Sequence, residues 1–152
     1  MKRLILIRGL PGSGKTTFAK FLFHNLDLDV DATICAADDY FYDEEGNYNF
    51  DSKQLYNAHL SCQQNVEIAM QRGHGMYVDY LNGDLQYEPE SVVIVHNTTT
   101  APKEIKTYMD LASTYGYEVT SLITENRHGN SSVHNVPEET MQRMRDRFEV
   151  KL

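Results

Sequence analysis

Residues 9 to 16 read Gly9-Leu10-Pro11-Gly12-Ser13-Gly14-Lys15-Thr16, which is the spacing G-x-x-x-x-G-K-[ST]. Glycines at these places let the backbone curl so that successive N–H groups point inward at phosphate oxygens, a path that side chains resist. A lysine in the seventh position neutralises β- and γ-phosphate charge, and the hydroxyl residue after it can ligate Mg²⁺. The pattern therefore predicts a site for ATP or another nucleoside triphosphate with Mg²⁺. Gly9, Pro11, Gly12, Ser13, Gly14, Lys15, Thr16 and Thr17 are expected to hold the phosphates, and Thr16 the metal.

A second chemical element follows the apolar run Ile34-Cys35-Ala36-Ala37, where Asp38-Asp39-Tyr40-Phe41 puts two carboxylates in tandem. In open α/β sheets ligands bind beyond the carboxyl ends of the strands, so these acids are expected to face the phosphate loop. A carboxylate there can accept a hydroxyl proton or help hold Mg²⁺ through water. Asp38 is the candidate for both roles, with Asp39 and Tyr40 as candidate substrate contacts; one or both acids can instead cap the next segment. His96 and Asn97 end the third apolar run and are further candidates to touch substrate, or Mg²⁺-bound water in the case of His96. A satisfied strand-end histidine is the alternative for His96. His24, His59 and His74 fall on predicted helices or their ends. His128 and His134 come late in the chain, without the cysteines or carboxylate spacing of a zinc site.

The elements that must position these residues can be read from periodicity. Apolar, β-branched runs at 4–7, 33–37, 92–95 and 119–123 alternate with segments of helical period, which predicts a mainly parallel four-stranded sheet sandwiched by helices. The first helix is expected from the loop to Asn25, with Phe18, Phe21, Leu22 and Leu26 as its apolar positions. Its positive end then aims at the phosphates. The second should start at Asp51 as N-cap, bury Leu55, Ala58, Cys62, Val66 and Ala69, and stop at Gly73. A third runs from about Pro102 to Tyr115, ended by Gly116, with Ile105, Tyr108, Met109 and Ala112 inward; the last starts after Asn135, with Pro137 and Glu138 as first-turn signals, and buries Met141, Met144 and Phe148. One stretch breaks the alternation: Asn82-Gly83, between two tyrosine-rich segments, predicts a β-hairpin insertion over about 75–90. Its tyrosines can stack on a base or cover the sheet edge.

At 152 residues the chain suits one domain spanning 1–152, long enough to bury a core without disulfides. Cys35 and Cys62 lie in apolar contexts without metal-ligand spacing and are expected to be buried thiols. No apolar run approaches membrane-spanning length, which argues against a membrane partner, and the short run after Met1 enters the loop rather than a cleavage site; a cytoplasmic location is expected. The net charge of -8 is uneven. Between Phe21 and Ser52 there are nine acids and no Lys or Arg, a face that repels a long nucleic acid. Arg127, Arg143, Arg145, Arg147 and Lys151 gather late in the chain, where they can meet phosphate or form a solvated helix face.

The elements R-G-L-P-G-S-G-K-T-T, A-D-D-Y-F, V-V-I-V-H-N-T-T-T and E-N-R-H-G-N-S-S-V-H-N-V-P-E-E-T-M-Q-R-M together resemble the P-loop kinases related to phage polynucleotide kinase and the zeta toxins. The resemblance spans nearly the whole chain. It implies that Asp38 is the general base toward an acceptor hydroxyl, that Lys15 and Thr16 serve donor and metal, and that a lid at about 125–137 brings an arginine to the donor phosphates. Arg127 is the nearest match for that arginine, with Arg143 second, so that Lys15, Asp38 and Arg127 form the expected catalytic set. Two departures concern the acceptor. Phe41 stands near the place of a phosphate-contacting arginine, and His96 stands where the family's third strand commonly ends in aspartate; Asp79 would replace that carboxylate if 76–80 were a sheet strand. The expected activity is transfer of the ATP γ-phosphoryl group to a polynucleotide hydroxyl, either a 5′-hydroxyl or one on a modified base. A nucleoside, nucleotide or other small molecule is the alternative acceptor, and a nucleotide-dependent binding module with weak ATPase activity is the rival from another class.

Overall fold

Strict alternation along the strands decides which side chains meet which helix. In the computed structural model, which describes residues 1–75, 90–127, 129 and 134–148, strand β1 spans Lys2–Arg8. Leu4 and Leu6 join one apolar cluster, while Ile5 and Ile7 join another on the opposite face. The same split separates Val93 and Val95 from Val92 and Ile94 in β3 (Ser91–Val95), all of them buried. A sheet that is apolar on both faces must be covered on both, which is why the strands read as unbroken apolar runs.

With β2 (Asp31–Cys35) and β4 (Glu118–Ile123), these strands form a sheet in the order β2-β3-β1-β4, every neighbouring pair parallel. Helix α1 (Lys15–His24) packs Ala19, Phe18 and Leu22 over Ile7, Val92 and Ile94. Helices α2 (Leu55–Gly75) and α3 (Pro102–Tyr115) cover the other face, where Cys62, Val66, Met70, Ile105 and Tyr108 meet Leu4, Leu6, Val93 and Val95. The chain thus leaves β1 toward one face and the adjacent β3 toward the other. Their carboxyl ends part and leave a crevice between them, the place where open α/β sheets bind ligands. Among the described residues no helix is long and apolar enough to cross a membrane.

Several element boundaries differ from the expectations, each for a local reason. Strand β2 ends at Cys35 and the chain turns into a 3-10 helix over Ala37–Phe41, because Asp39 caps that turn by accepting from the Ala36 N–H at 2.9 Å. Asp51 accepts from the Lys53 N–H at 2.9 Å and so starts a 3-10 turn over Ser52–Gln54, from which α2 begins. Gly73 does not end α2. It is a contact residue whose Cβ would collide with the Ser91 side chain and the Tyr117 hydroxyl. Leu55 and Met109 are partly exposed at 41% and 37%, being at the margins of otherwise buried stripes. Helix α4 (Glu138–Arg147) begins after Pro137 rather than around it, and Met141, Met144 and Phe148 are half-buried, with no described residue of α4 fully buried. Cys35 and Cys62 are free, buried thiols. The expected hairpin, Asp79, His128 and part of the expected lid lie outside the described residues.

Candidate active site

The loop after β1 owes its path to glycine. Gly9 has φ +156°, and a Cβ there would stand 2.5 Å from Ser13 Oγ and 2.6 Å from the Thr124 carbonyl oxygen. Gly12 and Gly14 take φ +79° and +88°, left-handed values that other residues adopt at a cost. The loop is braced on both sides. The Gly9 N–H donates to the Thr98 carbonyl at 3.4 Å, the Thr124 N–H donates to the Arg8 carbonyl at 2.8 Å, and the Ser13 and Thr124 hydroxyls lie 2.8 Å apart.

Helix α1 starts at Lys15 behind Gly14, whose lack of a side chain leaves the first-turn amides without a side-chain cap. The first N–H groups of a helix have no intrahelical acceptor, and the helix dipole adds positive potential at that end. Lys15 arches back so that its Nζ donates to the Leu10 carbonyl at 2.8 Å. Burial pulls this amine down to about 8, partly countered by the negative charge of Asp38. A cradle of glycine backbone, an uncapped helix start and a desolvated lysine fit a chain of phosphates. Thr16, exposed in the first turn beside the loop, supplies a hard oxygen suited to Mg²⁺, as do the carboxylate oxygens of Asp38.

The ends of β2 and β3 bring the remaining groups to the same crevice. His96 is half-buried, with Nδ1 3.5 Å from Thr16 Oγ1. Burial lowers its pKa, Asp39 and Asp38 oppose that effect and Lys15 adds to it, so three of the charged candidates act on this one ring. Asp38 leaves its side chain 56% exposed. One of its oxygens accepts from the Tyr48 hydroxyl at 3.4 Å, and the other lies 3.8 Å from His134 Nε2. Asp39 differs from its neighbour, since its carboxylate is engaged by the Ala36 amide. Tyr40 is half exposed on the rim and donates to Gln54 Oε1 at 3.4 Å.

Three expected site residues stand elsewhere. Asn97 is buried, its Oδ1 accepting from the Ala37 N–H at 2.8 Å and its Nδ2 donating to the Tyr108 hydroxyl at 3.1 Å, bonds that turn it toward the core. Arg127 is 85% exposed and pairs with Glu125 at 2.7 Å, and Arg143 donates to Thr140 Oγ1 at 3.2 Å on the exposed side of α4. Both guanidinium groups bond within their own segments, and among the described residues no bond joins either to Lys15 or Asp38.

Four other residues stand at or behind the site in places that sequence spacing does not point to. Tyr48 and His134 meet Asp38 from different parts of the chain, and only the alternating aromatics of Tyr48-Asn49-Phe50 and the V-H-N-V-P run hint at them. Arg8 is buried immediately before the loop, donates to the Thr99 carbonyl at 3.2 Å and lies 5.3 Å from the Phe148 ring centre. Arg147 donates to Thr100 Oγ1 at 2.8 Å. The end of α4 is thus fastened behind the loop. A charged residue closing an apolar strand was the available signal for Arg8.

A glycine loop between β1 and α1 at the crevice of a parallel sheet defines a P-loop nucleotide-binding domain. A family model described as an AAA domain matches residues 4–150, and the chain belongs to that family. The human NEDD4-binding protein 2 is 33% identical over 116 residues, 76% of this chain but 5% of that protein, so the chain corresponds to a small part of that relative. Among solved structures, Kti12 of Chaetomium thermophilum in complex with ADP-AlF3 aligns with a TM-score of 0.63 at 15% identity, covering 96% of this chain and 80% of that one. A chain of the Pnkp1/Rnl/Hen1 complex aligns at 0.56 with 14% identity, covering 99% and 40%. APS kinase CysC of Mycobacterium tuberculosis aligns at 0.54 with 12% identity, covering 95% of each. The fold is that of the P-loop kinases.

Proposed function

We propose that the chain is an ATP- and Mg²⁺-dependent phosphotransferase acting on a polynucleotide hydroxyl, a 5′-hydroxyl or one on a modified base. The observation that carries this is Asp38, an exposed carboxylate at the end of β2 whose charge acts on Lys15 of the loop. In this reading residues 1–152 form one kinase domain. The loop amides and Lys15 hold the donor phosphates, and Asp38 accepts the proton of the attacking hydroxyl. Mg²⁺ would be held by Thr16 and Asp38 and would supply neutralisation of the β/γ charge. Such a division suits phosphoryl transfer, whose barrier falls mainly through positioning and charge compensation. Arg127, which bonds Glu125 within its own segment, is the arginine this reading assigns to the donor phosphates. A chain of the Pnkp1/Rnl/Hen1 RNA repair complex among the structural neighbours fits a polynucleotide acceptor.

A small-molecule acceptor is the second reading, favoured by two observations. Phe41 is buried in the core at the place where an acceptor-phosphate arginine would be expected, and the surrounding stretch lacks Lys and Arg. An APS kinase and a sugar kinase among the structural neighbours fit that reading as well. The deciding experiment offers γ-labelled ATP with 5′-hydroxyl oligonucleotides, nucleosides, nucleotides and sugars, with Lys15→Ala as control. Label on oligonucleotides that is lost in the variant supports the first reading, and label confined to a small acceptor replaces it with the second. ATP hydrolysis with no labelled acceptor would leave a nucleotide-dependent binding module.

A further inference from the structure

Asp38 is bordered by aromatic rings that the phosphate loop does not need. Tyr48, whose hydroxyl meets Asp38, has its ring edge-on to His134 at 4.2 Å, tilted against Tyr42 at 5.1 Å, and nearly parallel to Phe50 at 6.4 Å. Phe41 anchors the group from below. It is buried, with Phe50 at 5.0 Å and Tyr48 at 6.1 Å between ring centres. Tyr42 and Phe50 nevertheless remain 48% and 53% exposed. Single exposed apolar residues are ordinary, but here two exposed rings are joined through Tyr48, whose hydroxyl meets Asp38, and together they offer flat apolar faces next to that carboxylate.

Charge narrows what that surface can take. Between Phe21 and Ser52 there are nine acids and no Lys or Arg, with Asp43, Glu44 and Glu45 following Tyr42 directly in the chain, so a phosphate or carboxylate placed against this stretch is repelled. An uncharged planar ring is not repelled, and aromatic side chains stack on any nucleobase through their π-faces. We propose that Tyr42, Tyr48 and Phe50 form a seat for the nucleobase of the phosphoryl acceptor, which brings its sugar hydroxyl to Asp38 and keeps its own phosphates away from the acidic stretch. The seat rests on the kinase reading for its purpose, though its occupancy can be measured without turnover.

The test is equilibrium binding of thymidine and guanosine by calorimetry or saturation-transfer NMR, with the loop saturated by ADP and Mg²⁺ so that the donor site is closed to them. D-ribose is the control without a base, and a 5′-hydroxyl dinucleotide separates a free nucleoside from a strand end. Both nucleosides should bind and ribose should not. Phe50→Ala and Tyr42→Ala should each weaken nucleoside binding by roughly five- to a hundredfold, the range of base–aromatic stacking, with Tyr42→Phe restoring it. ADP affinity should stay constant across the set, and circular dichroism should show the fold retained. Tighter binding of the dinucleotide than of its nucleoside would identify a strand end as the natural source of the base. Ribose binding as well as a nucleoside, absent nucleoside binding, or ring removal without effect would each overturn the seat. Phosphoryl transfer that still required Lys15 and Asp38 would then leave the kinase reading intact. Ring-dependent nucleoside binding in a protein that transfers no phosphoryl group would instead keep the seat and remove the kinase reading.

Discussion

The side-chain oxygen of Asn97, just beyond β3, accepts a hydrogen bond from the Ala37 amide at 2.8 Å, one residue before Asp38. The turn that presents the candidate base is therefore fastened to the neighbouring strand, and through the Asn97 amide to the Tyr108 hydroxyl of α3. Asn97→Ala leaves the buried Ala37 N–H without this acceptor, which should cost about 1–3 kcal/mol. A lower urea midpoint with an unchanged slope would register the loss. Transfer should fall with it, because the turn no longer holds Asp38, while ADP affinity persists through the loop. An unchanged midpoint would show that the Asn97 bonds do not hold the turn.

Asp38→Asn keeps the shape of the side chain and its contact with Tyr48 but removes its proton acceptance. A positioned general base is worth roughly 10² to 10⁴ in rate, so turnover should drop by that factor while ATP still binds. Single-turnover transfer with the best acceptor is the measurement. Transfer at the wild-type rate would assign the proton to another group.

Lys15 provides a prediction on charge. In metal-free, nucleotide-free protein its amine should titrate at about 8, below the ordinary lysine value, because burial disfavours the ammonium form. Asp38 opposes that shift, so Asp38→Asn should move the titration lower still. Above the unfolded lysine pKa the amine is neutral in both states, and as pH falls the unfolded chain takes up the proton first, so this group destabilises the fold progressively until pH passes below about 8. Lysine-selective NMR across pH 6 to 11 would resolve it. A titration at the ordinary value would show that the amine is hydrated rather than folded onto the loop.

What could be read from the sequence was whatever local spacing encodes. The glycine loop, the apolar runs of a sheet buried on both faces, and α3 between Pro102 and Gly116, the latter at φ +72°, all rest on signals within a few residues. The approach of His134 to Asp38 and of Phe148 to Arg8 joins distant parts of the chain, and no periodicity announces such contacts. Asn97 shows the converse difficulty. A polar residue at a strand end looks the same in sequence whether it faces a ligand or satisfies a buried amide, and only the position of Ala37 decides between them. The arginines of α4 illustrate it again, with Arg143 turned to solvent and Arg147 bonded to Thr100.

The charge distribution also constrains how the acceptor is gripped. Each protein–phosphate contact steepens the fall of affinity with salt, by a slope of about 0.7 on single strands. No Lys or Arg lies between Phe21 and Ser52, and Asp38 meets the phenol of Tyr48 and the imidazole of His134. A base-bearing acceptor held by this region should therefore bind with a salt slope below that of a single phosphate contact, and lengthening an oligonucleotide from two to ten residues should add little affinity. Fluorescence anisotropy of labelled 5′-hydroxyl oligonucleotides between low and high salt measures both quantities. A steep slope, growing with length, would place a phosphate track on the protein instead, and its loss on Arg143→Ala would put that track along the exposed side of α4.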